Sequence, residues 1–300
     1  MSRGGARAHT KIDRVVVPLR PDGLRGRSDA GLFTELGTPL LLVDGNNLLW
    51  RAAHGNRAPF EATDGRDLTP FFRFITLLRR ALGTYGVFAE CIVCFDGADA
   101  WSDRLDVDAS YKSNRSYEDK DLSFMGWLPE IRAGLDAVGV ANIEAPTSEA
   151  DDVIATLTAG RGERPVRILS TDRDYFQLIA PATFVVNPRG RPPLVDEACL
   201  LAQYGVTARQ WCDFRAIAGD PSDGIPGLPG VGMTTAASML AGNKTIEDIR
   251  EEIGDRYDDA LRWRELIRLR TDLKLEFTPT GIPTPRLPAP SAFCQALGLV

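Results

Sequence analysis

No apolar run in this 300-residue chain reaches the roughly 18 residues of a membrane-spanning helix, so no transmembrane anchor is expected. The N-terminus carries basic residues but no continuous apolar stretch, which argues against a secretory signal. Cysteines are few and odd in number: Cys91, Cys94, Cys199, Cys212 and Cys294. They lack a disulfide-scaffold spacing, so a reduced, cytoplasmic setting is expected. Cys91 and Cys94 form a C-x-x-C inside an apolar run and not at a helix start, which marks them as core thiols. A basic surplus is missing too. The net charge is -6, whereas a DNA-binding domain usually shows a basic footprint. That sum is a poor guide where acids are concentrated in clusters, because local charge distribution decides what binds. Lysine is scarce beside arginine, which suits bidentate phosphate contacts or reflects composition alone. Hydrophobic content of 44% and charged content of 25% are ordinary for a soluble globular chain of one large or two modest domains.

What is present is a repeated pattern of apolar runs that stop on aspartate. Leu40-Leu41-Leu42-Val43-Asp44, Cys91-Ile92-Val93-Cys94-Phe95-Asp96 and Val166-Arg167-Ile168-Leu169-Ser170-Thr171-Asp172 all read this way. Short Val/Ile/Leu runs are the signature of buried parallel strands, and ligands of open α/β sheets sit outside the carboxyl ends of those strands. Asp44, Asp96 and Asp172 are therefore expected on one sheet edge. Two further clusters, Ser148-Glu149-Ala150-Asp151-Asp152 and Gly219-Asp220-Pro221-Ser222-Asp223, add acids at helix-like starts. Singly, each has a bland reading. Ser148 with Asp151 resembles a capping box, Asp172 or Asp174 could cap a helix, and a strand-ending aspartate is a routine turn former. Together, so many carboxylates repel one another unless compensated, and a hard divalent cation with oxygen ligands is the natural compensation.

The periodicity predicts strands at 39–44, 90–95, 141–143, 166–171 and 183–187. Helices are predicted at 69–85, where Phe72, Ile75, Leu78 and Leu82 recur, at about 127–138, from Ser148, and at about 173–179. This alternation argues for a mainly parallel α/β sheet. Residues 1–37 read as a flexible basic extension, and 97–126 as a polar functional or mobile segment too long for an ordinary connection. From about 197 the pattern turns helical and Gly/Pro-punctuated, and the Pro-rich end, 277–300, reads as a surface-hugging tail.

Two further features bear on nucleic acid. In Gly227-Leu228-Pro229-Gly230-Val231-Gly232-Met233-Thr234-Thr235 the glycines allow close backbone approach, and the helix expected next presents N–H groups to an anion. The arrangement resembles a helix-hairpin-helix phosphate clamp. Tyr111-Lys112-Ser113-Asn114-Arg115-Ser116-Tyr117 interleaves cations with rings, which suits single-stranded nucleic acid, although on this feature alone a solvated loop is the favoured reading.

Taken together these motifs resemble the flap endonuclease / 5′→3′ exonuclease family, from about Leu40 to Leu240. The residues that carry the likeness are Leu42-Val43-Asp44-Gly45-Asn46-Asn47, Phe95-Asp96-Gly97, Tyr111-Lys112-x-Asn114-Arg115, Glu149-Ala150-Asp151-Asp152, Asp172-Arg173-Asp174 and Gly219-Asp220-Pro221-Ser222-Asp223. The resemblance implies an α/β, PIN-like 5′-nuclease fold over 38–196 with a helical arch at about 97–126. It implies a helical DNA-binding subdomain over 197–276 with a helix-hairpin-helix at about 224–240. It implies two Mg²⁺ or Mn²⁺ ions: Asp44, Asp96, Glu149 and Asp151 for the first, Asp172, Asp174, Asp220 and Asp223 for the second, with Asp152 supporting. Lys112 and Arg115 would act on the scissile phosphate. Tyr111, Lys112, Arg115, Gly227, Gly230, Gly232, Thr234 and Thr235 would contact DNA, with K⁺ at the hairpin turn. The implied activity is metal-dependent hydrolysis of phosphodiesters in 5′ flaps, nicks or RNA-primed ends by a monomer working beside a polymerase and a ligase. No polymerase-sized region follows, so a stand-alone nuclease is expected. Departures from the family pattern are Gly224 for a frequent Asn, Met233-Thr234-Thr235 where a lysine is common, and Thr171 for a glycine. A PIN-like ribonuclease and a non-catalytic DNA-structure binder are the alternatives.

Overall fold

The computed structural model describes residues 37–55, 60–100, 102–107 and 122–300. Its centre is a six-stranded sheet built from β1 (Leu40–Asp44), β2 (Glu90–Phe95), β3 (Ala141–Glu144), β4 (Val166–Leu169), β5 (Thr183–Val186) and β6 (Leu194–Val195), in the order β3-β2-β1-β4-β5-β6. All pairings are parallel except β5 with β6. Connections from β1 lead first to one side, through β2 and β3, and then across to β4 on the other. The strand order thus reverses between β1 and β4, and such a reversal opens a crevice at the carboxyl ends of the strands.

Side chains alternate across the sheet. Leu40, Leu42, Ile92, Cys94, Val166 and Ile168 enter one buried cluster with Val153 and Ile154 of helix α5 (Ala150–Ala159). Leu41, Val43, Cys91, Val93 and Leu169 enter the other, with α1 (Gly45–Ala53) and α2 (Thr69–Tyr85). Cys91 and Cys94 therefore point to opposite faces; both are fully buried, and burial pushes the Cys91 thiol up to about 12. They are core thiols, as the sequence suggests. In α2, Phe71, Phe74, Ile75, Leu78 and Leu82 form the buried stripe. Phe72 is only partly buried and stacks on Phe60, with ring centroids 5.0 Å apart. Two shorter helices follow, α3 (Ser102–Val107) and α4 (Leu128–Ala137).

Helices α6 (Glu197–Tyr204), α7 (Trp211–Ala218), α8 (Met233–Met239), α9 (Arg250–Ile253) and α10 (Tyr257–Ile267) continue the first cluster. Trp211 is its fully buried centre, ringed by Phe176, Tyr204 and Phe214.

Two expectations need correction, and one element was not foreseen. The stretch expected as a helix at about 173–179 is a 3-10 turn, Asp174–Leu178. β6 was not foreseen, because two residues after Pro192-Pro193 carry no periodicity. The proline-rich end does not stay on the surface: Leu287, Phe293, Cys294 and Leu299 are buried in the second cluster, partly through α11 (Pro290–Ala296). Thr280 and Gly281 donate backbone N–H groups to the buried Glu90 carboxylate at 2.6 and 2.9 Å, and Thr284 donates to Ala89 O at 2.9 Å. No helix among the described residues is long and apolar enough to cross a membrane.

Candidate active site

Asp44 ends β1 and is also the N-cap of α1, so one carboxylate has two local duties. Its Oδ1 accepts from Asn47 N at 2.9 Å, satisfying a donor that the first turn leaves unpaired. Its Oδ2 accepts from Ser170 Oγ at 2.9 Å and Tyr175 Oη at 3.1 Å. Even so, burial pushes the Asp44 carboxyl up to about 7, with the charges of Asp96 and Asp172 adding to the rise. These carboxylates do share one edge, at the strand-order reversal.

Asn46 and Asn47 tie the strand ends together. Asp96 N donates to Asn46 Oδ1 at 3.1 Å, and Thr171 N donates to Asn47 Oδ1 at 3.2 Å. Asn47 Nδ2 also donates to Thr171 Oγ1 at 2.9 Å. Through its hydroxyl, the threonine that departs from the family pattern joins the stretch after β4 to the start of α1, a bond glycine could not make.

Asp96 then caps α5 from a neighbouring strand, accepting from Ala150 N at 2.8 Å. The capping box that Ser148 and Asp151 resemble does not form: Glu149 is the N-cap residue and its side chain makes no capping bond. Relieved of that duty, Asp151 keeps a buried Oδ1 with no hydrogen-bond partner among the described residues. Asp152 accepts from Arg270 N at 2.9 Å and Arg104 Nη2 at 3.1 Å; burial, then the charge of Asp151, raise it to about 6. Glu149 is ion-paired with Arg104 Nη1.

Across the crevice, Asp172 Oδ1 accepts from Asp174 N at 3.0 Å, and Ser170 Oγ accepts from Asp172 N at 3.0 Å. Asp174, Asp220 and Asp223 are all buried, and each offers a carboxylate oxygen within 4.8 Å of the others. Burial pushes Asp174 well above the usual carboxylate range, followed by the charges of Asp172, Asp223, Asp220 and Asp151. Burial would also raise Asp220, but Ser222 and the ion-paired Arg215 outweigh it and hold that carboxyl low.

The loop that delivers Asp220 and Asp223 is closed by reciprocal bonds, Asp220 N to Ile225 O at 2.8 Å and Ile225 N to Asp220 O at 2.9 Å. Gly227, at φ 71°, lies against the Gly219 backbone, where a Cβ would come within 2.5 Å of Gly219 N. Gly227 is buried at this close approach. Gly224 has φ 76°, a left-handed conformation that asparagine also tolerates; that departure is conformationally neutral. Gly230, Gly232, Thr234 and Thr235 are exposed around the start of α8, and Met233 is 49% exposed. Tyr111, Lys112 and Arg115 lie outside the described residues.

The donor set is all carboxylate oxygen, partly unpaired and mutually repelling, which fits hard divalent cations and not thiol- or imidazole-seeking metals. The two acid groups are not separate islands. Asp172 acts on both Asp44 and Asp174, and Asp151 acts on Asp174. Sequence reasoning missed Ser170, Tyr175, Arg104 and Arg215, which orient or neutralise the acids. Asn46 and Asn47 lay within a recognised motif, but nothing in the one-dimensional pattern marks the other four.

The family of the 5′-3′ exonuclease N-terminal resolvase-like domain matches residues 39–205, and that of the 5′-3′ exonuclease C-terminal SAM fold matches 206–287. A 5′-3′ exonuclease of Streptomyces coelicolor is 31% identical over 272 residues, covering 81% of this chain and 90% of that protein. The thermostable DNA polymerase I of Thermus thermophilus is 36% identical over 260 residues, covering 82% of this chain; the chain spans only 30% of the length of that relative. In structure the chain is similar to the T5 5′-exonuclease bound to zinc ions, with TM-score 0.57 and 22% identity over 76% of this chain and 86% of that one. It is also similar to the catalytic core of Rad2 in complex with a DNA substrate, with TM-score 0.53 and 15% identity over 88% of each. At such identities the structural likeness is one of fold, and it agrees with the mainly parallel α/β sheet. With both halves of the family matched in order and nine-tenths of an exonuclease relative covered, the chain belongs to the 5′-3′ exonuclease family.

Proposed function

We propose that the chain is a metal-dependent, structure-guided 5′→3′ exonuclease and flap endonuclease that hydrolyses DNA phosphodiesters in 5′ flaps, nicks and RNA-primed ends. The observation that carries this reading is the buried Asp174, Asp220 and Asp223 cluster facing the acids of β1, β2 and α5. Asp172, Asp174, Asp220 and Asp223 would hold one Mg²⁺ or Mn²⁺, and Asp44, Asp96, Glu149 and Asp151 another. When bound, such ions supply an activated water and a stabilised leaving oxygen. Ser170, Tyr175 and Asn47 hold the Asp44 carboxylate in one orientation. Ser222 and Arg215 hold the Asp220 carboxyl low.

Lys112 and Arg115 steer the scissile phosphate, and Tyr111 stacks on a base. Gly230, Gly232, Thr234 and Thr235 grip the duplex backbone, with K⁺ at that turn. Met233 in place of a cation lowers affinity and flattens its salt dependence. The protein works as a monomer in the cytoplasm, beside a polymerase and a ligase, and accepts RNA–DNA hybrid ends. The catalytic part spans 38–196, the arch 97–126 and the DNA-binding helices 197–276.

Labelled flap, nicked, overhanging and RNA-primed substrates, digested with and without Mg²⁺, test this directly. Asp151→Asn is expected to abolish flap cleavage while DNA binding in EDTA persists. Full cleavage by that variant overturns the metal assignment, and preference for single-stranded RNA over the flap points to a ribonuclease instead.

A further inference from the structure

Arg104 lies on α3, inside the 97–126 segment, and its side chain is buried. Its Nη1 contacts the Glu149 carboxylate, while Nη2 reaches Asp152 Oδ1 at 3.1 Å and Asp151 Oδ1 at 3.6 Å. Three acids around the start of α5 thus converge on one guanidinium. Helix α3 also touches α10, and Asp152 accepts from Arg270 N just beyond the end of α10. The buried cluster therefore joins α3, the start of α5 and the end of α10.

Two of these acids, Glu149 and Asp151, belong to the set proposed above to hold a cation. Carboxylates buried with no compensating charge are strongly destabilising, and an arginine fork compensates them well. A divalent ion would compensate the same acids. The guanidinium and the ion repel each other, so neither reaches its full attraction for the acids while the other is present.

We propose that Arg104 is a counter-cation that holds Glu149 and Asp151 in the metal-free protein and yields them on metal loading, so that cation binding is coupled to the position of α3. The inference rests on the metal reading of the site. It departs from a plain structural ion pair in one measurable respect: a pair that only anchors α3 leaves cation affinity unchanged or weakens it on removal, whereas a competing counter-cation raises it.

The test compares the full chain with Arg104→Gln, which keeps hydrogen-bonding capacity but loses the charge, and Arg104→Lys, which keeps the charge. Mn²⁺ affinity is read by calorimetric titration without DNA, and thermal midpoints are read in EDTA and in Mn²⁺. Arg104→Gln is expected to melt below wild type in EDTA, to bind Mn²⁺ about tenfold more tightly, and to gain more from Mn²⁺ than wild type does. Arg104→Lys is expected to bind Mn²⁺ within about threefold of wild type, since the charge remains. Unchanged or weaker Mn²⁺ binding by Arg104→Gln, with wild-type binding intact, overturns the proposal and leaves the metal site standing. Tighter binding by Arg104→Lys, measurable even if Arg104→Gln does not fold, also overturns it, because charge would then not be the cause. Absence of Mn²⁺ binding by wild type removes both readings together.

Discussion

Replacing Gly227 with alanine separates the geometry of the acidic loop from its chemistry, because no carboxylate is touched. Two costs add. Alanine at φ 71° is strained by about 1–2 kcal/mol. The new Cβ would also meet Gly219 N at 2.5 Å and Ala218 C at 2.8 Å. All of these are backbone atoms that cannot rotate away, and overpacking of that kind costs about 1–3 kcal/mol more. The expected loss is about 2–5 kcal/mol, and its structural outlet is a separation of Gly227 from Gly219. That carries Asp220 and Asp223 away from Asp174. Gly230→Ala is the control, with φ 75° but nothing within 4 Å of its Cβ, so only the conformational cost of about 1–2 kcal/mol applies. Chemical denaturation in EDTA should rank the variants wild type, Gly230→Ala, Gly227→Ala. Thermal stabilisation by Mn²⁺ should survive in Gly230→Ala and be lost in Gly227→Ala. Equal destabilisation of the two variants, or Mn²⁺ stabilisation retained in Gly227→Ala, refutes the claim that this close backbone approach assembles the cluster.

The pH dependence of the metal-free protein follows from Asp44, raised to about 7, and Asp152, raised to about 6. Raised carboxyls contribute stability that is full below their unfolded value near 4 and lost as pH climbs through the folded values. Glu247, held down at about 2 mainly by Arg264, contributes the opposite way, and its share is lost only on the acid side. The melting temperature in EDTA should therefore fall between about pH 4 and 7, and excess Mn²⁺ should flatten that fall; a rise across this range in EDTA would contradict the burial-driven shifts. Glu90→Ala removes the acceptor shared by Arg164, Thr280 and Gly281, at a cost of about 3 kcal/mol. Limited proteolysis should then cut near 280 faster than in wild type, whereas an unchanged digestion pattern would mean that α11 alone anchors the C-terminal stretch.

The sheet was legible because its strands are buried on both faces: β1, β2 and β4 are apolar runs with little else to be. Their terminal aspartates were legible for the same reason, since a charge that ends such a run must sit at the crevice edge. Period-based reading also found α2 within its observed bounds, but took Phe72 for a core residue where Phe71 and Phe74 carry the core. It failed where contacts are remote in sequence. The cap of α5 comes from Asp96, 54 positions away, which no local capping pattern can reveal. The burial of Leu287 and Phe293 likewise depends on a return of the chain to α2 and β2. Prolines in that stretch signal irregular backbone, and irregular backbone can still be buried when its donors reach partners such as Glu90 and Ala89.

The two arginines inside the site act in different ways, and the difference explains how so acidic a crevice folds at all. Arg215 rises from α7 to Asp220, whose carboxyl it helps to hold low; that acid stays charged and ready while its neighbour Asp174 is driven well up by burial and by the surrounding acids. A cluster in which one carboxyl is held low and its neighbour is driven up avoids the full repulsion of two buried charges. Arg104 instead spans three acids and comes from a segment outside the sheet. The first arginine is built into a helix whose other residues, Trp211 and Phe214, are fixed in the core, so it tunes an acid without moving. The second sits on a six-residue helix, α3, that reaches the start of α5 through these ion pairs.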